Sequence, residues 1–398
     1  MISRRQILKQ SALVAMAPMV PAFLANMARA AGTQRDSRIL VVVQMEGGND
    51  GINTLVPFGD EGYARNRKEL RIAADKVLKL NDHVGLHPSM RGAAKLVEDG
   101  RLAIVQGVGY PNPSRSHFHS MEIWQTALLD PQKSERGWIG RAFDGLPWPR
   151  AGGPDAVYVG NSDMPQALIG RRTDAAAISN ADDLALHLPA HSLKQADEKG
   201  EDLSSFVRRS VLSAYGTAND LAGAAKGTGG AAPAAYPQSK LATQLQLIST
   251  FIKSGAGTRV YYAAQSGYDT HQLQMPQHED LLGDLSSAMR AFLDDLKGAG
   301  LSDRVLLMAF SEFGRRVAEN SSLGTDHGAA APLFVAGAAV KGGLIGTTPS
   351  LSELVDGDVK MSIDFRQVYA TLLENWLQIP AKQVLAGEFE PLPLLKQA

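Results

Sequence analysis

The chain has 398 residues, 44% of them hydrophobic, ample for a buried core in one large or two medium domains. Forty basic and 41 acidic residues leave a formal net charge of −1, so no general attraction to nucleic acid or to an anionic membrane is expected. There is no cysteine, which excludes disulfides, thiolate metal sites and cysteine nucleophiles and suits an oxidising compartment.

The first thirty residues read as an address. Residues 3–9 (SRRQILK) are close to a twin-arginine signal, residues 11–24 are an apolar stretch, and Ala28-Arg29-Ala30 is a small-x-small cleavage site. A mature chain starting at Ala31 is expected, carried already folded by the twin-arginine machinery to the periplasm or beyond. Pro18, Pro21 and the modest length argue against an N-terminal membrane anchor, and no later segment approaches a membrane span.

Residues 38–45 (RILVVVQM) form a continuous apolar run, as expected of a strand buried on both faces. Glu46-Gly47-Gly48-Asn49-Asp50-Gly51 follows. Its glycines permit a sharp turn, and Asp50 stands at the strand's carboxyl end, either as a turn former or as a ligand. Residues 88–98 predict a helix with Met90, Ala93, Ala94 and Val97 on one face, stopped by Gly100. Residues 102–106 predict the next strand. After a turn-rich loop, Ser116 is a good N-cap for a helix whose buried face takes Phe118, Met121 and Ile123 or Trp124. A serine there meets free N–H groups and the positive end of the helix dipole, which suits a hydroxyl facing a phosphate or sulfate. Simple capping by Ser114 or Ser116, with His117 and His119 on the surface, accounts for the position as well.

Residues 155–160 predict another strand. From 165 to 237 the pattern weakens to a helix over 202–221 and an Ala/Gly/Pro-rich linker over 222–237, together an inserted cap or linker region. A helix over 239–253 carries Leu241, Leu245, Ile248 and Ile252 on one face. A strand over 259–264 ends in Gly267-Tyr268-Asp269-Thr270-His271, and a long helix follows over 279–298. The run 305–310 predicts a buried strand, followed at once by Ser311-Glu312-Phe313-Gly314-Arg315-Arg316 and then by Thr325-Asp326-His327-Gly328. A late strand over 332–336 and a closing helix over 365–377 complete the chain. This alternation predicts an α/β fold, a three-layer sandwich with helices on both faces of a mainly parallel sheet.

Four strand ends thus carry polar groups, and sheets of this kind align the carboxyl ends of their strands along one edge. Carboxylates and imidazoles are ligand types that divalent metals take. His83, His87, His187, His191 and His278 lie apart from these strand ends and are expected at the surface.

The segments Gly47-Gly48-Asn49-Asp50-Gly51-Ile52-Asn53, Ser116-His117-Phe118, Asp269-Thr270-His271, Ser311-Glu312-Phe313-Gly314-Arg315 and Asp326-His327-Gly328 resemble the motif set of the secreted DUF1501 family. The resemblance spans nearly the whole mature chain. It implies membership of the alkaline phosphatase/sulfatase superfamily: a sheet edge with one or two divalent metals and a hydroxyl nucleophile at a helix N-terminus. By the same resemblance Asp50, or Glu46 in its stead, is the carboxylate ligand after the first strand. Ser116 is the nucleophile, and Asp269 and His271 are the second ligand group. Either Asp326 and His327 form the superfamily's Asp-His pair, or Glu312 takes that place and they supply the late histidine ligand. Pro111 stands where the sulfatase signature needs its modified residue, so a formylglycine sulfatase is not expected.

The expectation is therefore an exported metal-dependent hydrolase of phosphate or sulfate esters or diesters. Asp50, Asp269, His271, Glu312, Asp326 and His327 would hold one or two ions, with zinc, manganese, magnesium and calcium all open. Ser116 would attack, His117 or His119 would protonate the leaving group, and Arg315 would clamp an anionic oxygen unless it and Arg316 are a solvated charge pair. The substrate is an anionic ester, with cell-envelope material among its sources. Three other readings stay open: a non-catalytic exported binding or assembly protein, a purely structural metal site, and a metal-independent serine hydrolase, which here lacks a G-x-S-x-G elbow.

Overall fold

The computed structural model describes residues 38–147, 154–179, 235–255 and 257–396. The expected twin-arginine leader, the expected helix over 202–221 and nearly all of the expected linker over 222–237 lie outside the described residues.

The strands form where apolar, β-branched runs are long enough to be buried on both faces. They are β1 (Ile39–Glu46), β2 (Leu102–Gly109), β3 (Ala156–Val159), β4 (Ala175–Ile178), β5 (Val260–Ser266), β6 (Val305–Ser311), β7 (Ala331–Gly337), β8 (Gly343–Ile345) and β9 (Ile363–Asp364). Together they make one nine-stranded sheet in the order β8-β2-β7-β6-β1-β5-β3-β4, with β9 also on β2. Every pairing is parallel except those of β7, which runs against both β2 and β6. The expected mainly parallel sheet is thus present. Residues 175–178, within the stretch expected as a cap or linker region, form β4 and extend the sheet beside β3; most of that stretch lies outside the described residues.

Side-chain alternation along β1 divides the core. Ile39, Val41, Val43 and Met45 face one layer, and Leu40 and Val42 face the other. On the first side lie the helices α1 (Arg91–Glu98), α4 (Lys240–Ser254) and α5 (Gln274–Gly298); on the second lie α2 (His117–Thr126), α3 (Trp138–Asp144) and α6 (Phe365–Ala370). Leu241, Leu245, Ile248 and Ile252 of α4 are all buried, as their spacing predicts. Ser239 caps that helix by accepting from the Ala242 N–H, and Gly255 ends it at φ 72°. On α2, Ile123 and Trp124 are buried, but Phe118 is 86% exposed, against expectation. The helix turns Ser120 inward instead, where its hydroxyl meets that of Tyr110 at 2.7 Å. His87 and His278, expected at the surface, are both buried.

Register places the functional loops together. Glu46 pairs with Ser266 and Met45 with Ser311, so β5, β1 and β6 end side by side. An antiparallel strand begins where its parallel neighbours finish, so the loop entering β7 reaches the same edge. There β7's first residue, Ala331, pairs with Val108 near the end of β2, which leads toward α2.

Candidate metal centre

Four chain segments meet at this edge, and Arg315 joins three of them. Its guanidinium is buried and donates to the carbonyls of Gly48 (2.7 Å), Thr325 (2.8 Å), Tyr268 (3.0 Å) and Gly47, and to the Asp269 carboxylate at 2.7 Å. The loop after β1 can come this close only because it lacks side chains. A Cβ on Gly47 (φ 118°) would lie 2.4 Å from the Asp269 nitrogen, and one on Gly48 (φ 74°) would lie 2.3 Å from the Phe313 ring.

Around Asp269 stand three imidazoles. Its Oδ1 lies 3.1 Å from Nε2 of His271, 3.1 Å from Nε2 of His327 and 3.4 Å from Nε2 of His117. Each ring is gripped at its other nitrogen. Nδ1 of His117 is 2.7 Å from Glu312 Oε1, Nδ1 of His271 is 3.1 Å from Asp326 Oδ1, and Nδ1 of His327 is 2.8 Å from the Arg115 carbonyl. A carbonyl or carboxylate only accepts, so Nδ1 carries the proton in each bond. In the neutral rings the Nε2 lone pairs then converge on one point together with a carboxylate oxygen. The His271 and His327 Nε2 atoms are 2.8 Å apart. Such an array repels itself unless a proton or a cation lies within it.

Electrostatics agree with a cation-seeking point. The hydrogen bond that His117 donates to Glu312 raises the pKa of His117 above its ordinary value, against desolvation, which lowers it. Partial burial pushes the Asp269 pKa up, but the hydrogen bond and charge of Arg315 outweigh it and hold the group at about 2. Among the described residues, the buried Nε2 of His117 has no hydrogen-bond partner. The ligand atoms of His117, Asp269 and His327 all lie within 4.8 Å of one another, and His271 adds a fourth donor. Three imidazole nitrogens and one carboxylate oxygen, each imidazole oriented by an outer acceptor, match what a divalent ion such as zinc takes. The cluster opens on a cavity of about 350 Å³ whose lining includes Gln44, Glu46, Phe118 and Met121.

The structure redistributes the residues singled out in the sequence. Asp269, His271 and His327 come together. His117, expected to donate a proton, stands among them. Glu312 and Asp326, expected as ligands, hold histidines; Glu312 also accepts from the Gly47 N–H at 3.0 Å and the Ser311 hydroxyl at 2.9 Å. Asp50 is not at the cluster. It is fully buried against Arg67, with contacts of 2.6 and 3.0 Å, and takes a further bond from Gln274. Burial raises its pKa, but the Arg67 charge and hydrogen bond prevail and set it at about 2. Arg315 cannot clamp a substrate, because it is buried and engaged by backbone. Ser116 is the N-cap residue of α2 and is exposed; among the described residues its hydroxyl has no hydrogen-bond partner. His119 is exposed on the same helix and outside the cluster. Glu46 lines the cavity and accepts from Gln44 at 2.9 Å. Arg67, which sits in a charged run, and the Arg115 carbonyl carry no mark in the local sequence pattern.

The family model described as "Protein of unknown function (DUF1501)" matches residues 37–387. The chain belongs to the DUF1501 family. No curated protein matches this DUF1501 sequence. Solved structures similar to it include the PsFucS1 sulfatase from Pseudoalteromonas sp., at 11% identity, 93% coverage of this chain, 74% of that one and a TM-score of 0.37. A protein in the alkaline phosphatase superfamily from Vibrio parahaemolyticus follows at 9% identity, 86% and 76% coverage and a TM-score of 0.36. The phosphonate monoester hydrolase of Agrobacterium radiobacter stands at 13% identity, 88% and 78% coverage and a TM-score of 0.34. At these TM-scores none of the likenesses bears on the activity, metal or substrate of this DUF1501 chain.

Proposed function

We propose that this chain is a metal-dependent hydrolase of an anionic phosphate or sulfate ester, exported by the twin-arginine route that its first thirty residues spell out. The observation that carries the proposal is the convergence of three imidazole Nε2 atoms on Asp269 Oδ1, each ring held at Nδ1 by an outer acceptor. His117, Asp269, His271 and His327 would hold one divalent ion, and the predominance of imidazole favours zinc over magnesium or calcium. When bound, the ion supplies Lewis acidity and offsets the charge of an anionic ester. Around it, Glu312 and Asp326 keep the Nδ1 protons in place, and Arg315 keeps Asp269 ionised. Phe118 and Met121 give the cavity an apolar rim on one side.

Ser116 adjoins His117 at the head of α2 and stands outside the residues that line the cavity; its hydroxyl, one residue from a ligand, serves as the nucleophile in this proposal. A second reading is favoured by one observation: among the described residues that hydroxyl bonds to no base, as expected of an exported metal-binding protein without turnover. The same fact weighs against a metal-independent serine hydrolase. No helix of the described residues is long and apolar enough to cross a membrane. Elemental analysis of protein purified without added metal, with a phosphate- and sulfate-ester panel run on wild type, Ser116→Ala and His327→Ala, tests the proposal. Bound zinc with turnover lost in both variants supports it. Bound zinc without turnover of any ester supports the second reading, and protein that neither carries nor takes up metal ends both.

A further inference from the structure

The loops that carry Asp269, His271 and His327 are both held by Arg315, and they share a further fastening below the cluster, the side chain of Gln274, the first residue of α5. Gln274 is fully buried. Its amide N–H₂ donates to Asp50 Oδ2 at 2.5 Å, and its carbonyl oxygen accepts from the hydroxyls of Thr325 (2.6 Å) and Thr270 (3.2 Å). The orientation of the amide is not arbitrary: an ionised carboxylate can only accept, so the nitrogen must face Asp50 and the oxygen the two threonines. Thr270 lies between Asp269 and His271, and Thr325 lies two residues before His327. The Thr325 N–H also donates to the Thr270 carbonyl at 3.2 Å, so the two loops run in contact at the level of Gln274. Asp50 is in turn immobilised by Arg67, whose remaining donors reach the carbonyls of Val317 (2.7 Å) and Arg316 (2.8 Å) in the segment that leads from β6 to His327.

We infer that Gln274 is a positioning residue for the cluster: it sets the distance between the Asp269–His271 loop and His327, with the Asp50–Arg67 pair as its anchor. This gives the Asp50 motif a role in the site although Asp50 touches none of its donors. His119, exposed on α2 and outside the cluster, provides an internal control. Loss of the Gln274 fastening therefore displaces His327 relative to the Asp269–His271 loop and leaves His119 where it is.

The inference rests on the metal reading for only one of its two readouts. The variants are Gln274→Leu, the near-isosteric Thr325→Val, which removes one hydroxyl, and Thr325→Ser, which keeps it. The first readout is the ring ¹⁵N shifts of the histidines in full-chain apo protein. Signals of His271 and His327 are expected to move in Gln274→Leu and Thr325→Val and to stay in Thr325→Ser, with His119 unmoved in all three. The second is Co(II) binding followed by visible absorption, expected to weaken about tenfold or more in the first two variants and to be kept in Thr325→Ser. If wild type binds no Co(II), the metal reading fails while the ring shifts still decide this inference. Unmoved His271 and His327 shifts in a folded Thr325→Val, or His119 moving with them, would overturn it. Should Gln274→Leu fail to fold, the Thr325 pair carries the same test.

Discussion

The Nε2 atoms of His271 and His327 face each other across 2.8 Å, with Asp269 Oδ1 3.1 Å from each. Neither ring is free to turn away, because Asp326 and the Arg115 carbonyl hold them from behind. The folded chain therefore keeps lone pairs together that water would separate in the unfolded chain. A ligand that binds only the folded form stabilises it by mass action, by about 2.7 kcal/mol at one hundred times its Kd. Zinc is expected to raise the melting temperature of the apo protein measurably, and a chelator to reverse the rise. His327→Ala removes one donor and relieves the lone-pair contact. The apo form of that variant should melt no lower than wild-type apo protein, and its zinc-dependent rise should be largely lost. Calorimetric scans of both proteins with and without zinc check this.

Glu312 acts on the cluster through a single proton. Its Oε1 receives Nδ1–H of His117 at 2.7 Å, and the same residue accepts from the Gly47 N–H and the Ser311 hydroxyl. Glu312→Ala removes the acceptor of the His117 Nδ1–H together with that of the Gly47 N–H. Removing an oriented outer acceptor costs metal affinity about 10- to 100-fold in comparable sites. Zinc affinity by competition with a chromogenic chelator should fall within that range, while Glu312→Asp should recover part of it.

How much of this was legible in the sequence depends on what each residue must satisfy. Strands β1, β5, β6 and β7 were visible because burial on both faces demands unbroken apolar runs, and their ends were found to within about two residues. Asp269, His271 and His327 were visible because a polar residue just past such a run falls on the sheet's functional edge. Asp50 satisfies the same pattern yet serves a buried arginine 17 residues on, and nothing in a local pattern separates a carboxylate facing a cation from one facing a guanidinium. Arg315 and Arg316 are neighbours of identical chemistry, but one is buried among carbonyls and the other is part exposed. Ser116, the extended N-cap residue, and His117, the first helical residue, are adjacent, and nothing in a local pattern tells which of the two side chains turns toward Asp269. Phe118 was assigned inward because it is apolar; the helix instead buries Ser120, whose hydroxyl has a buried partner, and leaves the ring at the cavity mouth.

Arg315 donates to four carbonyls and to Asp269, drawn from the segments after β1, β5 and β6. A lysine offers three donors from a single point and cannot reach this spread of acceptors. Arg315→Lys would leave at least two buried acceptors unpaired, each costing about 1–3 kcal/mol. A loss of about 3 kcal/mol is expected in urea unfolding, seen as a lower midpoint at unchanged slope. If the midpoint does not move, Arg315 does not hold these segments together in the way its contacts indicate.

The Asp50–Arg67 pair predicts an acid limb of the stability curve. Asp50 is held at about 2 against an ordinary value of 3.8, so its folded pKa is depressed. Its contribution is then complete above about pH 4 and is lost as pH falls toward 2, because the unfolded carboxyl takes up its proton first. A depression of this size corresponds to about 2 kcal/mol at 1.36 kcal/mol per unit. Asp50→Asn should flatten the curve between pH 4 and pH 2. It should also lower stability at neutral pH by about 3–5 kcal/mol, since the Arg67 charge stays buried without its partner. Adding Arg67→Met removes that stranded charge but also the donors to the Val317 and Arg316 carbonyls, which lie at 2.7 and 2.8 Å. The double variant is therefore expected to recover part of the loss and not all of it. Urea unfolding of the three proteins at pH 7, 4 and 2.5 measures both effects. A wild-type curve with no acid limb in that window would mean that Asp50 is not ionised against Arg67.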